Sequence, residues 1–496
     1  MPIVMHCGLS ASPHTNSPGT MSFRKLTLKT SGWYSRFAFE RLLRPVARME
    51  SLEQLDVILS PLSIRDLALI AEVVAQNTSL RRVSVTCGTG PAPLTMEDYH
   101  YMRFMNSGRA AERMQPWLWA LRQTSWLTRL TFDLLSFGED ECCDFFRAVA
   151  DVKSLRDVRV RNLPPSVNLL NICHTIRECG IVDKVVVENY YLSGANVSVL
   201  SACTEVKIVT IHSSYFPTIP SLCWVLGVLG GCPQITSVCA IFRHGEFEER
   251  VQDAMANYVA SAPSTLERVD IRTPDDLYDW MEPQSPDASS SVVSALCTKS
   301  SLRAIALSVL RMSEKDSKML ARAAMQSRRL ERVSLSTTYG LMSAAFHRSL
   351  APCVDSNYRL LHVGFSGMSR PVPMEEAAVM RATGRNRGLV ERAARFVLGR
   401  RNRYCACAFE MVSLHPRVAE IVREQAVVGP IEAKWMIRIA AKSLVSLHDY
   451  MRLTGVVKDS VQCYGPREAG MQLDDLDEDS WWHVRKYLKV SDVEAA

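Results

Sequence analysis

The chain has 496 residues, beyond the ~250–300 at which one compact core stops growing, so it is multidomain or elongated. Its 47% apolar and 22% charged residues are those of a folded protein, and a net charge of +6 is too mild to point to nucleic acid as a partner. Its 15 cysteines lack framework spacing, which excludes a disulfide-stapled scaffold and predicts a reducing, intracellular compartment, cytoplasmic with nuclear entry left open.

Residues 1–20, MPIVMHCGLSASPHTNSPGT, hold no apolar run behind basic residues and read as a flexible N-terminus. From residue 21 to 370 a six-residue pattern recurs, with apolar residues at its first, fourth and sixth places. FRKLTL begins at Phe23, LEQLDV at Leu52, LRRVSV at Leu80, LTRLTF at Leu127, LRDVRV at Leu155 and VDKVVV at Val182. VKIVTI follows at Val206, ITSVCA at Ile235, LERVDI at Leu266, LRAIAL at Leu302, LERVSL at Leu330 and LLHVGF at Leu360. Most steps are 27–31 residues; one is 24, and two long ones, 47 and 36, place insertions near 86–116 and 273–291. The fourth and sixth places lie on the inward side of a short strand, and no unit buries its apolar edge alone, so neighbours must stack.

The return segments read as helices. In SIRDLALIAEVVAQN, Ile64, Leu67, Ala68, Ala71 and Val74 share a face behind a Ser63/Asp66 capping box; in SEKDSKMLARAAMQS, Met319, Leu320, Ala323 and Ala324 do so behind Ser313 and Asp316. LCWVLGVLGGC, 222–232, is about half the length of a membrane span and reads as a buried helix. Asn77-Thr78-Ser79 and Asn196-Val197-Ser198 match a glycosylation acceptor and are taken as chance. The second insertion, with Asp275, Asp276, Asp279 and Glu282 around Tyr278 and Trp280, reads as a solvated loop or an acidic-aromatic contact patch.

A 20–29-residue period with L-x-x-L-x-L resembles the leucine-rich repeat, and the long helical returns resemble its ribonuclease-inhibitor type, as in Ran GTPase-activating proteins and the repeat regions of NLR receptors. That resemblance implies an α/β solenoid: a horseshoe with parallel strands inside and helices outside, over 21–370. The family usually has Asn or Cys at the ninth place; here Gly88, Leu135, Leu163 and Tyr190 stand there.

After the repeats comes a helical region, 371–470. RATGRNRGLVERAARFVLGRRNRY carries eight arginines from Arg381 to Arg403 against one acid, Glu391, with Val390, Ala393, Ala394 and Val397 on one face. It reads as a docked helix with solvated charges, the alternative being a helix lying on anionic lipid or nucleic acid. IEAKWMIRIAAKSLVSLHDYMRL is the clearest later segment. The tail, 471–496, contains LDEDSWWHVRKYLKVSDV, which resembles the start of an F-box: Leu476, Glu478, Trp481, Val484, Tyr487, Leu488, Asp492 and Val493 fall at matching places, while Asp477 replaces the usual Pro. The resemblance implies that Leu476, Trp481, Val484, Tyr487 and Leu488 contact the linker subunit of an SCF-type ubiquitin ligase. Such a helix can also cap the open end of the solenoid.

No catalytic site is expected. G-x-x-x-x-G-K-[ST] and HExxH are absent, GFSGM at 364–368 ends in Met where a nucleophile elbow needs Gly, and Cys405-Ala406-Cys407 with His415 lacks a second spaced ligand pair for zinc. Neither metal nor cofactor is expected. The second, third and fifth places of each unit point to solvent on the strand side, which gives a basic concave stripe of Arg81, Arg82, Arg129, Arg156, Arg159, Lys184 and Lys207. Asp157 and Asp183 interrupt it. A mixed second half holds Glu267, Arg268, Asp270, Arg303, Glu331 and Arg332. A stripe of this kind steers an acidic protein partner or simply keeps strands soluble. The expected function is a non-enzymatic protein-interaction scaffold, elaborated as a ligase substrate-recognition subunit or as a direct regulator of a GTPase or other enzyme. No membrane span is expected.

Overall fold

The computed structural model describes residues 4–8, 24–29, 36–59, 64–87, 110–164, 166–243, 245–273, 290–308, 312–336, 340–366, 374–426, 428–462 and 472–493. The most inserted parts of both predicted insertions, 88–109 and 274–289, lie outside these residues, as does Ser63. The chain divides into two compact units, Met1–Leu310 and Arg311–Ala496, so the last two repeats group with the helical region.

In the first unit β1 (Val4–Gly8), β2 (Lys25–Lys29), β3 (Gln54–Leu59), β4 (Arg82–Cys87), β5 (Arg129–Phe132), β6 (Asp157–Val160) and β7 (Val185–Val187) form one sheet in chain order. All neighbours are parallel except β1, which runs antiparallel to β2; residues 4–8 of the expected flexible N-terminus therefore close the sheet edge. A second parallel ladder follows, β8 (Tyr190–Tyr191), β9 (Ile208–His212), β10 (Ser237–Ile241), β11 (Arg268–Arg272) and β12 (Ala304–Ser308). The seam falls at the 24-residue step, the shortest repeat, where single bridges Leu163↔Tyr190 and Val187↔Val206 join the ladders.

Every predicted hexamer supplies one strand, and the pattern is the reason. Leu55 and Val57, Val83 and Val85, Leu130 and Phe132, Val158 and Val160, and their counterparts in the second ladder point inward and are buried. The first-place residues Leu52, Leu80, Leu127, Leu155, Val206, Ile235, Leu266 and Leu302 close the core beneath them. Val182 departs from this: it is 44% exposed, and Ile181 fills its place. The helices between strands are α1 (Arg36–Val46), α2 (Ile64–Gln76), α3 (Ala110–Gln123), α4 (Glu139–Asp151), α5 (Leu169–Glu178), α6 (Gly194–Val197), α7 (Ile219–Gly230), α8 (Glu249–Ser261) and α9 (Ser291–Thr298). Expected as a buried helix, α7 buries Leu222, Val225, Leu226 and Leu229 and leaves Trp224 half exposed.

Polar groups close the turns. Asn77, buried, donates to the carbonyls of Val46 (2.7 Å) and Met49 (3.0 Å) and accepts from the Leu80 amide (3.1 Å). Asn196, equally buried, donates to the Val167 carbonyl at 3.2 Å and the Tyr190 hydroxyl. Both glycosylation-like asparagines are thus spent inside the fold. At the α5 turn the Arg177 guanidinium donates to both Glu205 oxygens, at 2.7 and 2.9 Å. Burial raises the Glu205 carboxyl, and the hydrogen bonds and charge of Arg177 more than reverse this, leaving it below its ordinary range. A carboxyl depressed on folding stabilises above its unfolded pKa and loses that contribution as pH falls through the folded one. Glu205→Gln is therefore expected to lower the hydrogen-exchange protection of α5 at neutral pH, with the gap to wild type closing below about pH 4; a gap independent of pH would contradict the pairing.

The second unit starts with α10 (Glu314–Gln326), β13 (Arg332–Ser336), α11 (Gly340–Leu350) and β14 (His362–Ser366), with β13 and β14 parallel. Ser313 and Asp316 form the expected capping box, at 3.0 and 3.1 Å, while the buried stripe of α10 is Leu320, Ala321 and Ala324, rotated from the predicted one. Then come α12 (Met374–Val397), α13 (Arg403–Val412), α14 (Pro416–Ala426), α15 (Pro430–Val445), α16 (Leu447–Thr454) and α17 (Glu478–Arg485). The single predicted segment after residue 430 breaks at Ser446, whose extended backbone separates α15 from α16. Gly455, at φ 83°, ends α16 in a left-handed cap that costs glycine nothing.

The arginine-rich helix α12 is docked. Val390, Ala393, Ala394 and Val397 are buried as predicted, and α12 packs on β14, α11, α13 and α14. Arg385 donates to the carbonyls of Asp355 (2.8 Å) and Asn357 (3.1 Å), and Asn386 to those of Asn357 (2.7 Å) and Leu360 (2.8 Å). The last repeat is therefore capped by α12, not by the tail.

Candidate recognition face on the strands

The parallel register lines up equivalent side chains. Lys25, Gln54, Arg82, Arg129 and Asp157 are successive partners across β2 to β6; one pleat on, Thr27, Asp56, Ser84, Thr131 and Arg159 form a second row. In the second ladder the rows are Ile208, Ser237, Arg268, Ala304 and Thr210, Cys239, Asp270, Ala306. Alternation puts all of them on the face opposite the core.

On this face the expected basic stripe, interrupted by Asp157, is ion-paired with its acids. Asp157 sits 2.9 Å from Arg129 Nε and 3.3 Å from Arg159 Nε, Arg159 Nη1 reaches Glu188 at 3.3 Å, and Lys25 meets Asp56 at 3.0 Å. Burial lowers the Arg159 guanidinium, and Asp157 with Glu188 overcomes that and raises it, so its charge is committed within the face. Asp270 holds Arg272 the same way, at 3.1 and 2.6 Å. A list of cations in sequence carries no register, and register is what set the acids beside them.

Arg81 precedes β4 and donates to the carbonyls of Thr78 (3.0 Å) and Trp126 (3.3 Å), which places it on the rim. Arg156, Lys207 and Arg268 are exposed, and Arg82 and Lys184 are half-buried at the upstream ends of their strands. Arg332 is exposed on β13, in the second unit. Among the described residues, Arg82, Arg156, Lys184, Lys207 and Arg268 are the cations of the first unit's predicted set with charge left to offer a partner.

Two features escaped sequence reading. Asp133, Asn162, Asn189 and Thr210 form a polar chain across four repeats: Asn162 Nδ2 donates to Asp133 at 2.7 Å, Asn189 Nδ2 to Asn162 at 2.9 Å and the Thr210 hydroxyl to Asn189 at 2.7 Å. The expected polar residue at the ninth place has moved one or two places earlier, which explains why Leu135, Leu163 and Tyr190 stand there and are buried. The second is Cys239, whose thiol burial pushes up to about 12, with Asp270 adding to the shift; it stays protonated and unreactive. Burial and Arg243 likewise lower His212, which is neutral at pH 7.

In the tail, the five predicted contact residues do not share a surface. Trp481 is buried and donates from Nε1 to the Val445 carbonyl; Leu476 and Leu488 pack against the core of the second unit; Val484 and Tyr487 are exposed. His415 accepts the Arg417 amide (3.1 Å) and lies 3.2 Å from the Arg359 carbonyl, and Cys405 is buried. Among the described residues no cluster of His, Cys, Asp or Glu is arranged to hold a metal, and no helix is long and apolar enough to cross a membrane.

The fold is of the leucine-rich-repeat type. No family model matches the chain, and no curated protein matches it. Among solved structures, the tropomodulin C-terminal domain from Caenorhabditis elegans is similar at 12% identity over 40% of this chain and 94% of that one, with a TM-score of 0.25. The TLR13–ssRNA13 complex is similar at 10% identity over 67% of this chain and 52% of that one, with a TM-score of 0.24. Likenesses this distant carry nothing about function, and the fold rests on the repeat register described above.

Proposed function

We propose that the chain is a recognition scaffold that acts without catalysis, holding a protein partner on the open strand face of its first unit. The observation that supports this reading is the alignment of partly exposed side chains in rows across consecutive parallel strands, with no activated nucleophile or base among the described residues that titrate there. Such a surface is preformed, so association avoids the cost of ordering loops, and a few arginine anchors supply most of the energy.

The anchors are the cations not consumed internally. Reversing Arg129 or Arg159 would break the pairs with Asp157 and Glu188 and confuse binding with folding. The discriminating variant is Arg82→Glu, Arg156→Glu and Arg268→Glu together in the full chain. Affinity purification with mass spectrometry is expected to show at least about a tenfold loss of the co-purifying partner, since each lost charged contact costs roughly 1–2 kcal/mol. An unchanged set of proteins at unchanged yield removes the reading.

The ligase-adaptor elaboration draws no support from the tail, because Trp481, Leu476 and Leu488 are engaged inside their own unit. Recovery of ligase subunits would restore it; recovery of a GTPase or another enzyme alone would make the scaffold a direct regulator.

A further inference from the structure

The second unit carries a surface unrelated to the strand face. Helix α15 turns Ala433, Ala440 and Leu444 inward, with Met436 and Ile437 packed partly against the same core. Its outer side carries Ile431, Trp435 and Ile439, which are 85%, 61% and 40% exposed and spaced four apart, so they form one apolar ridge. Lys434, Arg438 and Lys442 run beside the ridge at the same spacing, all exposed and with no ion-pair partner among the described residues. The helix has one acid, Glu432, in its first turn. A water-facing helix has no reason to line up three large apolar residues, and a core-facing helix would bury them.

We propose that α15 lies on the surface of an anionic phospholipid bilayer, with Ile431, Trp435 and Ile439 inserted at the acyl boundary and Lys434, Arg438 and Lys442 on the headgroups. A basic row bordering an apolar row with a central tryptophan is the arrangement of interfacial helices. An isoleucine exposed to 85% has no walls around it, so the ridge does not line a groove for a partner helix, whereas a deformable lipid surface needs none. Trp481 and Arg485 donate to the carbonyls of Val445 and Leu444 and hold α17 at the end of α15; α17 and the two residues past it expose Trp482, Val484 and Tyr487, with Lys486 3.4 Å over the Trp482 ring. The attachment is peripheral and independent of the strand-face reading.

The test is co-sedimentation of the full chain with vesicles of phosphatidylcholine alone or mixed with phosphatidylserine. Binding is expected only with phosphatidylserine, weakening as salt rises. Trp435→Ser with Ile439→Ser, and separately Lys434→Glu with Arg438→Glu and Lys442→Glu, are each expected to lower the partition coefficient by at least about tenfold while circular dichroism and melting stay those of wild type. A readout free of folding effects is quenching of tryptophan fluorescence by brominated lipid in the wild-type chain, expected to fall in Trp435→Phe. Failure of the wild type to bind phosphatidylserine vesicles, equal binding by either multiple variant, or self-association through α15 in place of lipid binding would each overturn the proposal.

Discussion

Phe132→Ala is expected to destabilise the first unit by about 3–5 kcal/mol, the usual range for emptying a fully buried aromatic site. Phe132 takes the sixth place of LTRLTF on β5, where most repeats use an aliphatic residue, and three aromatic rings close around it. Trp117 of α3 lies 4.6 Å away between centroids, Phe145 of α4 is stacked at 5.3 Å, and Phe137 is at 6.0 Å. Phe132, Trp117 and Phe145 are at most 1% exposed, so no side chain from outside can move into the gap. Phe132→Leu keeps part of the volume and is expected to lose less than half as much. Because the chain has two units, a single denaturation midpoint is a poor readout. Hydrogen exchange resolved to α3 and α4 isolates the first, and a loss of protection below about 1 kcal/mol would show that the layer is loosely packed and that the repeats lean on their neighbours less than the register implies.

The repeat was legible because its physics is local. Alternation along a strand, a helix between strands and a constant step are properties of consecutive residues, and twelve copies average out irregularities such as Val182, where Ile181 does the burying. Anything that depends on which strand lies beside which was harder to read. The acid that neutralises Arg129 is Asp157, on the next strand, and the two meet because β5 and β6 pair in register. The asparagine and aspartate chain is hard to read for a related reason: the consensus puts the polar residue at one fixed place, whereas Asp133, Asn162 and Asn189 keep contact across repeats of unequal length.

The same contrast separates the two basic helical readings. For α12, four small or aliphatic residues on one face predicted docking, and they are buried. In α15 the apolar residues are too numerous for one face: Ala433, Ala440 and Leu444 satisfy the core, and the surplus of Ile431, Trp435 and Ile439 is left outside. Counting apolar residues in a helix says that it is amphipathic or buried; only the position of its neighbours says which apolar residues they leave uncovered.

Arg485→Met is expected to release the tail from the second unit at a cost of about 3 kcal/mol, in the range for removing one member of a buried charge pair. The guanidinium donates to Glu410 at 2.5 Å, to the Leu444 carbonyl at 2.9 Å and to the Leu488 carbonyl, and lies 4.3 Å from the centre of the Tyr450 ring. Glu410 uses its other oxygen to accept the Val490 amide at 2.9 Å, so one carboxylate ties α13 to the last residue of α17 and to the stretch that follows it. Methionine fills the volume but leaves Glu410 charged and largely enclosed, with one of its two partners gone. Adding Glu410→Gln removes that stranded charge, and the double variant is expected to recover part of the loss; a double variant worse than the sum of the singles would show that the pair is not the linkage. The readout is hydrogen exchange and limited proteolysis over 478–493. If that segment in Arg485→Met stays as protected as in wild type, the apolar contacts and hydrogen bonds around Trp481, Leu488 and Val490 hold the tail in place without Arg485. In the expected case, its exposure frees the same Trp481 and Leu488 that an F-box-like contact needs, so partner capture by Arg485→Met, absent in wild type, would show that docking is what masks them.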